Sequence, residues 1–579
     1  MKRISRKLAL FAMASITALT ILGSNYVSSQ GVQPLPTAIV VNQVGYFPHW
    51  QKKALVLNAP ESHKAPQLVD NETQQTVATL PVIPATFDPE TKDNIGTIDF
   101  SSIHQTGTYY LQQGELKSVP FTIGKDIYQQ PLVTLLRSYY LQRCGIAISD
   151  PVTGITRGED HLEDAAIAHN DEFHSQGTIL ETSGGWHDAG DYGKYVTTMT
   201  VTIARLLNLY EQYPQLFPDS HLTIPESGNG RSDLLDEMEF GLNWLLKMQR
   251  PDGAVYRKLS GTSWPMGLAP DEDKQPRYVY GISTPETAKF AAVMAIAARN
   301  YQASNPELAN GYLAAGQKAW QYLQSQPTMK IDWVSGDDAG SGKYLYSEYD
   351  REASLTTDID DRLWAAAELY ITTGNGEYHD FFISNLHQVN YTLFEWKDPS
   401  PLGLINYLKQ TRQPKDETVV SQIKTKLIQK ADSILAIVNS SPYQIANNRF
   451  IWGSNKMTAE EGITLIYAYQ LTNNYAYLDA AIAQADYLLG RNHFNQTFIT
   501  GIGTNPVKHT NHLYARAKNL YIPGLVVGGP NSDAQDNKVA KNLGQLSYID
   551  SEESYATNEY AIDYNASTIS LLVNLQQSY

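Results

Sequence analysis

The strongest constraint on the fold is a change of hydrophobic pattern at Asp126. Before it, short runs of β-branched and aromatic residues alternate with Pro, Gly, Asn and Asp, which predicts a small β-sandwich over residues 35–125. After it, apolar residues recur at intervals of three and four, which predicts an all-α domain over residues 126–579. We find no strand-like run between the helices expected after residue 126, and we therefore expect antiparallel helical hairpins. An even set of hairpins can close into an (α/α) barrel, with a cleft among the loops at one end.

Both expected domains divide into separate elements. We expect strands at 53–57, 76–80, 95–100, 108–111 and 119–123. We expect helices at 132–144, 196–213, 284–300, 310–326, 360–372, 377–388, 419–438, 458–471, 475–489 and 561–576. The hydroxyl of Ser232 is expected to cap one more helix. A chain of 579 residues exceeds one ordinary core, which agrees with two domains.

The first 29 residues have the pattern of a secretory signal peptide. A basic stretch, 1–7, precedes an apolar run, 8–22, and small residues follow. The apolar run is short for a membrane span, and no Cys stands near its end to carry a lipid. We therefore expect a secreted or periplasmic protein without membrane attachment after signal cleavage.

Composition narrows the range of partners. The 44 Lys and Arg against 60 Asp and Glu give a formal net charge of −16, so no basic surface is expected to bind nucleic acid. The 37 Tyr outnumber the 15 Phe and 9 Trp together, and Tyr can both stack on sugar rings and donate hydrogen bonds. Cys144 is the single cysteine, so no internal disulfide forms despite the expected export. We expect a monomer.

One stretch carries two closely spaced carboxylates. Residues 184–195 read Gly-Gly-Trp-His-Asp-Ala-Gly-Asp-Tyr-Gly-Lys-Tyr, so that Asp188 and Asp191 stand three positions apart. The glycines permit turns that other residues resist, so this 184–195 loop can aim both carboxylates and the Trp186 indole at one point. The local chemistry alone fits acid–base catalysis, a surface turn or a calcium loop.

Six further blocks follow a recognisable order along the chain. They lie at 42–46 (Asn-Gln-Val-Gly-Tyr), 225–237 (beginning Pro-Glu-Ser-Gly-Asn-Gly), 452–455 (Trp-Gly-Ser-Asn), 486–492 (Asp-Tyr-Leu-Leu-Gly-Arg-Asn), 501–506 (Gly-Ile-Gly-Thr-Asn-Pro) and 558–566 (Asn-Glu-Tyr-Ala-Ile-Asp-Tyr-Asn-Ala). Together with the 184–195 loop, they resemble family 9 glycoside hydrolases, especially secreted bacterial cellulases with an N-terminal immunoglobulin-like domain. The resemblance implies an (α/α)6 barrel behind that domain, and it covers nearly everything after the expected signal peptide.

The resemblance also implies the catalytic roles. It assigns the general base to Asp191, helped by Asp188 in holding water, and the general acid to Glu559, in a reaction that inverts the anomeric centre. An inverting pair is expected to stand about 6.5–9.5 Å apart to admit the water. Glu559 would need a pKa raised by burial or like charges. The other interpretation of Glu559 is a helix N-terminal Glu favoured by the helix dipole, since a helix is expected from residue 561.

The residues expected to bind substrate depend partly on the same resemblance. The candidates are Trp186, Trp452, Asn511, His512 and Tyr564, although Trp452 could equally be a core residue. Relatives carry a His-His-Arg block that contacts sugar near the scissile bond, and the matching residues here are Asn511, His512 and Leu513. This departure predicts a changed substrate or subsite preference.

Three functions are therefore weighed. The first is an inverting hydrolase that cleaves β-1,4 bonds of cellulose or related β-glucans. The second is an exo-β-D-glucosaminidase on chitosan oligosaccharides, whose cationic sugars would suit an acidic cleft. The third is a non-catalytic carbohydrate-binding protein, which the presence of all three carboxylates disfavours. In each case the expected partner is a β-linked oligo- or polysaccharide.

Two structural metals are implied by the resemblance, and no cofactor is expected for the chemistry. Relatives hold zinc with two Cys and two His; the matching positions here are Cys144, Asp160, His161 and His187, with Asp in place of one thiolate. A carboxylate is an acceptable zinc ligand. A calcium loop is expected at Thr357, Asp358, Asp360 and Asp361, where the alternative is plain helix capping.

Overall fold

The computed structural model describes residues 36–59, 64–341 and 355–579. The expected signal peptide, 1–29, lies outside these residues. Among the described helices, none is both long and apolar enough to cross a membrane.

The N-terminal domain is a sandwich of two sheets, as predicted. Its strands are β1 Ala38–Val40, β2 Gly45–Tyr46, β3 Lys53–Leu57, β4 Gln67–Asp70, β5 Thr76–Thr79, β6 Val82–Phe87, β7 Asn94–Asp99, β8 Gly107–Gln113, β9 Leu116–Lys117 and β10 Phe121–Ile123. One sheet has the order β1-β3-β7-β6 and the other β2-β10-β8-β4-β5, with β9 beside β8. The two inner faces enclose a small core of its own, which includes Ile39, Leu68, Ile98, Phe100 and Tyr109.

Five strands of this sandwich, β1, β2, β4, β6 and β9, were absent from the predicted strands. β1, β2 and β9 have only two or three residues. β4 has four residues, which is too short to establish an alternating pattern. β6 contains Pro84, which argues against a central strand, and β6 lies at the edge of its sheet, where a proline is tolerated.

The C-terminal domain is mainly helical. Its helices are α1 Gln129–Gln142, α2 Val196–Gln212, α3 Asp233–Lys247, α4 Thr284–Tyr301, α5 Pro306–Ser325, α6 Ile359–Thr373, α7 Gly376–Asn385, α8 Ser400–Lys409, α9 Glu417–Ser440, α10 Ser454–Thr472, α11 Tyr475–Leu488, α12 Leu513–Lys518, α13 Tyr555–Asn558 and α14 Ile562–Ser578. Helices such as α4, buried along their whole length, lie inside, and helices such as α9, buried on one side, lie outside. This is the arrangement of an (α/α)6 barrel.

The expected helices are present, with ends that differ by up to four residues. The prediction missed α8 and the two short helices α12 and α13. Ser232 does precede α3, but its hydroxyl makes no capping bond, so that part of the prediction is wrong.

The expectation of no strands in the helical domain is also wrong. A four-stranded sheet has the order β13-β16-β15-β14, with β13 Ala166–Ile167, β14 Lys194–Tyr195, β15 Val255–Gly261 and β16 Arg277–Ser283. A further pair joins β11 Ile148–Ser149 to β12 Thr156–Arg157. All seven residues of β15 are buried, including Arg257 and Lys258, whose charges are met by the segment around Asp337. Buried charges of this kind hide a strand from a search for apolar alternation.

The two domains are joined by buried polar contacts. The Asn42 amide donates to Asp486 Oδ1 at 2.9 Å, and the Gln43 backbone N–H donates to the Leu489 carbonyl at 2.8 Å. Farther along the interface, Asp93 accepts from the Tyr443 hydroxyl and from His493 Nδ1, each at 2.6 Å. The block at 42–46 therefore lies at the joint between the domains.

Replacing Asp93 tests how much this interdomain contact contributes to stability. Burial raises its pKa, but the hydrogen bonds of His493, Tyr443 and Asn58 outweigh burial and lower it to about 2. Asp93→Ala leaves these donors without their acceptor, and we expect it to lower the free energy of unfolding by about 2–3 kcal/mol. Thermal or urea unfolding measures the change.

Asp70→Ala is the matched control for this variant. Asp70 also accepts several hydrogen bonds, but they come from its own exposed turn, through Glu72 and Thr73. Equal losses of unfolding free energy in the two variants would show that the interdomain hydrogen bonds stabilise the protein no more than those of an exposed turn.

Candidate active site

Backbone bonds tie the 184–195 loop to two distant segments. The Ile562 N–H donates to the Asp188 carbonyl at 2.8 Å, and Ala189 pairs with Ala561 as an antiparallel bridge. The Leu513 N–H donates to the Gly190 carbonyl at 2.7 Å. A bridge between Asn511 and Glu559 completes the set, so that Asp188, Asp191 and Glu559 are brought to one place.

Gly190 is required for this close approach. A Cβ atom there would lie 2.3 Å from the Asn511 carbonyl oxygen and 3.2 Å from Glu559 Oε1. Backbone oxygen cannot move aside as a flexible side chain can. The glycine thus lets the loop lie directly against the segment that carries Glu559.

Glu559 lies outside the helix that follows it. It comes directly after α13, and α14 begins only at Ile562 with Ala561 as its N-cap. The helix N-terminal interpretation is therefore wrong. Burial raises the pKa of Glu559 well above its ordinary value, and the neighbouring charges of Asp191 and Asp188 raise it further, against one backbone N–H at Gly190.

Asp191 is buried but better supplied with donors. The Tyr195 hydroxyl donates to its Oδ2 at 3.1 Å and the Gly193 N–H donates to the same oxygen at 3.3 Å. Burial raises its pKa above the ordinary value, and these two hydrogen bonds oppose the rise. Of the three carboxyls, Asp191 accepts the most hydrogen bonds, which favours its ionised form.

Asp188 is surrounded by groups that the sequence analysis did not identify. It accepts a short hydrogen bond from the Thr198 hydroxyl. Burial raises its pKa well above the ordinary value, and the charges of Asp563 and Asp191 add to the rise, while Lys456 opposes it. Lys456 Nζ lies 2.9 Å from Asp563 Oδ2. Asp563 falls inside the quoted block at 558–566, and Lys456 directly follows the block at 452–455, whereas Thr198 carries no sequence signal.

Three of the expected substrate-binding residues lie beside these carboxyls. The indole N–H of Trp452 donates to the Tyr564 hydroxyl. The pKa of Tyr564 is raised well above its ordinary value by burial and by the charges of Asp563 and Glu559. Trp452 is partly exposed and its ring centroid lies 6.0 Å from that of Tyr555, a residue that the sequence analysis missed. Asn511 is half-buried and donates through its amide to the Glu552 carbonyl at 2.6 Å.

The other two expected binding residues are buried, and the prediction for them is wrong. Trp186 is fully buried, and its indole N–H donates to Glu237 Oε1 at 2.8 Å. His512 is buried as well: Nε2 lies 3.0 Å from Gln142 Oε1, and Nδ1 accepts from the Ala515 N–H. Burial lowers the His512 pKa to about 4, so the ring is neutral and positions backbone rather than sugar.

The four expected zinc ligands converge. Cys144, Asp160, His161 and His187 are all buried, and one ligand atom from each lies within 4.8 Å of the others. Asp160 Oδ2 stands 3.3 Å from His187 Nε2, and His161 Nδ1 stands 3.7 Å from Cys144 Sγ. Asp160 Oδ2 and His187 Nε2 have no hydrogen-bond partner. A set of one sulfur, two imidazole nitrogens and one carboxylate oxygen fits zinc.

A second carboxylate, that of Asp273, stands behind this cluster. Asp273 Oδ2 lies 3.5 Å from His161 Nε2, the ring nitrogen that faces away from the cluster. A carboxylate in this position orients a metal-binding imidazole and fixes its tautomer. Burial raises the pKa of the Cys144 thiol to about 12, so a metal ion must displace a firmly held proton.

The expected calcium loop is not formed by its four residues. Asp361 Oδ1 pairs with the buried Lys289 at 2.6 Å, and Asp358 Oδ2 pairs with Arg362 at 2.9 Å. The Thr357 hydroxyl accepts from the Ile359 N–H one residue before the N-cap Asp358, whose own side chain makes no capping bond. Among the described residues, a search for converging metal ligands finds the Cys144 cluster and not this one. Burial and Asp398 raise the pKa of Asp360 to about 7.

Comparison with known proteins gives a consistent result. The family model for glycosyl hydrolase family 9 matches residues 128–572, and the model for the cellulase N-terminal ig-like domain matches residues 36–118. Endoglucanase D of Acetivibrio thermocellus is 30% identical over 542 residues, covering 92% of this chain and 82% of its own. A xyloglucan-specific endo-beta-1,4-glucanase of Bacteroides ovatus is 32% identical over 593 residues, covering 99% and 98%.

Solved structures agree. A metagenome-derived family 9 endoglucanase superposes with a TM-score of 0.87 at 40% identity, covering 93% of this chain and 98% of its own. A Zn-binding triple mutant of the family 9 endoglucanase J30 superposes with a TM-score of 0.85 at 34% identity, covering 91% and 99%.

The raised pKa of Asp188 predicts a gain in stability on its removal. A group whose pKa is raised by folding loses stability as pH rises through that pKa, because the unfolded state releases the proton more readily. Asp188→Asn keeps an acceptor for Thr198 and removes this loss. We expect a melting temperature about 1–3 °C above that of the parent at pH 7.5, with the gain disappearing near pH 4.

Scanning calorimetry at both pH values measures the difference. Asp70→Asn is the control, since turn hydrogen bonds lower the pKa of Asp70 and no gain is expected. An Asp188→Asn variant that melts below the parent at pH 7.5 would contradict the burial argument.

Proposed function

Because the chain belongs to glycosyl hydrolase family 9, we propose that it hydrolyses β-1,4-glycosidic bonds of β-glucans with inversion, using Asp191 as base and Glu559 as acid. The observation that carries this proposal is the convergence of three carboxyls on one place through backbone pairing of the 184–195 loop, with Asp188 and Asp191 buried and Glu559 half-buried. The relatives give no support to an exo-β-D-glucosaminidase or to a non-catalytic binding protein. Those alternatives are set aside.

The electrostatics divide the two roles. When like charges share a buried site, one carboxyl retains its proton. Glu559 has a single backbone donor, whereas Asp191 has a hydroxyl and a backbone N–H, so the proton resides on Glu559 and the charge on Asp191. This is the assignment that acid–base hydrolysis needs.

The reaction follows from this division. Glu559 transfers its proton to the glycosidic oxygen as the C1–O bond breaks and the leaving sugar gains a hydroxyl. Asp191, oriented by Tyr195 and Gly193, takes a proton from a water whose oxygen bonds to C1 from the opposite face. Asp188 supplies a second acceptor for that water. One bond breaks and one forms on opposite faces of the ring, and the anomeric configuration inverts.

Substrate contacts are proposed on the Glu559 side. Trp452 is half-buried and offers an aromatic face for a pyranose ring, while the hydroxyl of the buried Tyr564 accepts from its indole N–H. Asn511 is half-buried and pairs with Glu559 through the backbone. Because two of the relatives above are named as endoglucanases, we propose internal cleavage of soluble β-1,4-glucans, with cellulose-type and xyloglucan-type chains as the substrates to compare.

We also propose export and a structural zinc. The basic and apolar pattern of residues 1–29 supports secretion or a periplasmic location. Zinc would be held by Cys144, Asp160, His161 and His187 and would contribute only structure: His187 immediately precedes Asp188, so the metal would anchor the 184–195 loop. The predicted monomer stays a prediction.

Two variants test the catalytic pair. Asp191→Asn is expected to lower kcat on a soluble β-glucan by about 10²–10⁴-fold with little change in KM. Glu559→Gln is expected to lose polymer hydrolysis and to keep part of its activity on an aryl β-cellobioside, whose good leaving group needs less protonation. On that substrate the alkaline limb of the parent pH profile should also disappear, because the parent loses activity as Glu559 is deprotonated.

Glu553→Gln is the matched control, an exposed glutamate paired only with Lys538 in the same segment. Proton NMR of the first product should show the α-configured sugar. A β-configured first product, or an Asp191→Asn variant with nearly parental activity, would reject the mechanism.

Zinc content is tested separately from activity. Protein purified without chelator should contain about one zinc per chain by elemental analysis. Asp160→Cys replaces an oxygen ligand by a thiolate and should hold zinc at least 10-fold more tightly in competition with a chelator, whereas Asp160→Ala should hold it more weakly. Absence of zinc after incubation with excess metal would reject the site.

A further inference from the structure

Two tryptophan side chains are exposed to solvent instead of packing into the protein interior. Of the nine in the chain, all within the described residues, only Trp264 and Trp333 fall among the exposed large hydrophobic residues, with 46% and 36% of their surfaces accessible. The others are buried or partly buried. Exposed tryptophan costs hydration free energy, so a pair on one surface indicates a ligand.

The two tryptophans lie on neighbouring loops. Trp264 lies in the loop that joins β15 to β16, and Trp333 follows the short bridge between Ile331 and Ser283 at the end of β16. The loops touch through their backbones, because a Cβ at Gly340 would lie 2.3 Å from the Ser263 nitrogen. Three more apolar side chains on these loops are also exposed: Met266 at 58%, Leu268 at 41% and Val334 at 48%. We name these five residues the tryptophan ledge.

The ledge is attached directly to the 184–195 loop. The Tyr192 hydroxyl donates to the Leu268 carbonyl at 2.7 Å, and the Tyr192 carbonyl accepts from Arg277 at 2.8 Å. The sheet makes a second connection. Tyr195, which bonds Asp191, is paired across β14 and β15 with Lys258, and Lys258 Nζ donates to the Asp337 carbonyl in the Trp333 loop at 2.7 Å. These contacts attach both loops of the ledge to the segment that carries Asp191.

The polar groups around the ledge select its occupant. The Trp333 indole N–H donates to Asp338 Oδ2 at 2.9 Å, and beside Trp264 the exposed Ser263 hydroxyl donates to the side-chain oxygen of the half-buried Gln275. Asp271 and Glu272 stand on the same loop as Trp264. These carboxylates repel an anionic lipid surface, whereas a neutral sugar offers hydroxyls to them and an apolar ring face to indole.

We infer that the tryptophan ledge binds the pyranose rings of a β-glucan chain where it extends out of the active site past Asp191. This inference rests on the proposed function for its ligand. It makes the ledge a polymer-specific extension of the site: a long chain contacts Trp264 and Trp333, and a short aryl glycoside at the carboxyls does not. Its expected effect is therefore on binding of polymer rather than on the chemical step.

The test compares polymer binding with turnover of a short substrate. Trp264→Ala, Trp333→Ala and the double variant are run in native gels containing a soluble mixed-linkage or xyloglucan polymer, where retardation reports binding without hydrolysis. Each single variant should weaken polymer binding about 10-fold, and the double variant more. Hydrolysis of an aryl β-cellobioside should stay within about twofold of the parent, which also shows that the variants are folded.

Tyr475→Ala is the matched control. Tyr475 is 63% exposed, and it follows α10, whose 19 residues span about 28 Å from the Trp452 end. This variant should bind polymer as the parent does.

The outcomes separate the ledge from the proposed function. A double variant retarded like the parent overturns the ledge. The inference is also overturned if the parent binds no polymer and the double variant loses either self-association, measured by gel filtration, or co-sedimentation with anionic vesicles. The ledge would then bind a different partner. If the parent binds polymer through the ledge but hydrolyses no β-glucan, the ledge is supported and the proposed function fails.

Discussion

The active site depends on backbone hydrogen bonds between segments far apart in sequence. The pairing of Ala189 with Ala561, the bond from Ile562 to the Asp188 carbonyl and the bond from Leu513 to the Gly190 carbonyl hold the 184–195 loop against the end of the chain. The carboxyls of Asp188, Asp191 and Glu559 share a site only because these bonds exist. Gly190 makes them possible, because any side chain there would meet the Asn511 carbonyl.

Placing three carboxyls together where two are buried and one is half-buried is unfavourable, and the surrounding groups show how the protein tolerates it. Thr198 donates to Asp188, Tyr195 and Gly193 donate to Asp191, and the Lys456–Asp563 pair lies beside Asp188. None of these donors removes the mutual repulsion, and the pKa values of both Glu559 and Asp188 stay well above their ordinary values. In the proposed mechanism, the raised pKa of Glu559 supplies the acid that hydrolysis needs.

Rigid surroundings keep this arrangement in place. The cluster of Cys144, Asp160, His161 and His187 adjoins the 184–195 loop, because His187 belongs to both. The sheet β13–β16 includes the end of that loop at Tyr195. The N-terminal domain is hydrogen-bonded to the barrel through Asn42 and Asp93. Each connection is buried and polar, so each specifies one geometry rather than a range. The same sheet carries the exposed tryptophans outward, which relates a surface feature to the catalytic loop.

By itself the sequence determined the two-domain order, the helices, the family and the three carboxyls, because local periodicity and short motifs reside in neighbouring residues. The four residues that the resemblance implied as zinc ligands do converge, and their binding of zinc stays a prediction. The sheet of the helical domain, the burial of Trp186 and His512 and the ion pairs that occupy Asp358 and Asp361 came only from the tertiary structure. Burial and ion pairing depend on partners tens or hundreds of residues away, so motif position could not distinguish an indole facing sugar from one bonded to Glu237, or a carboxylate free for calcium from one already paired with Lys289.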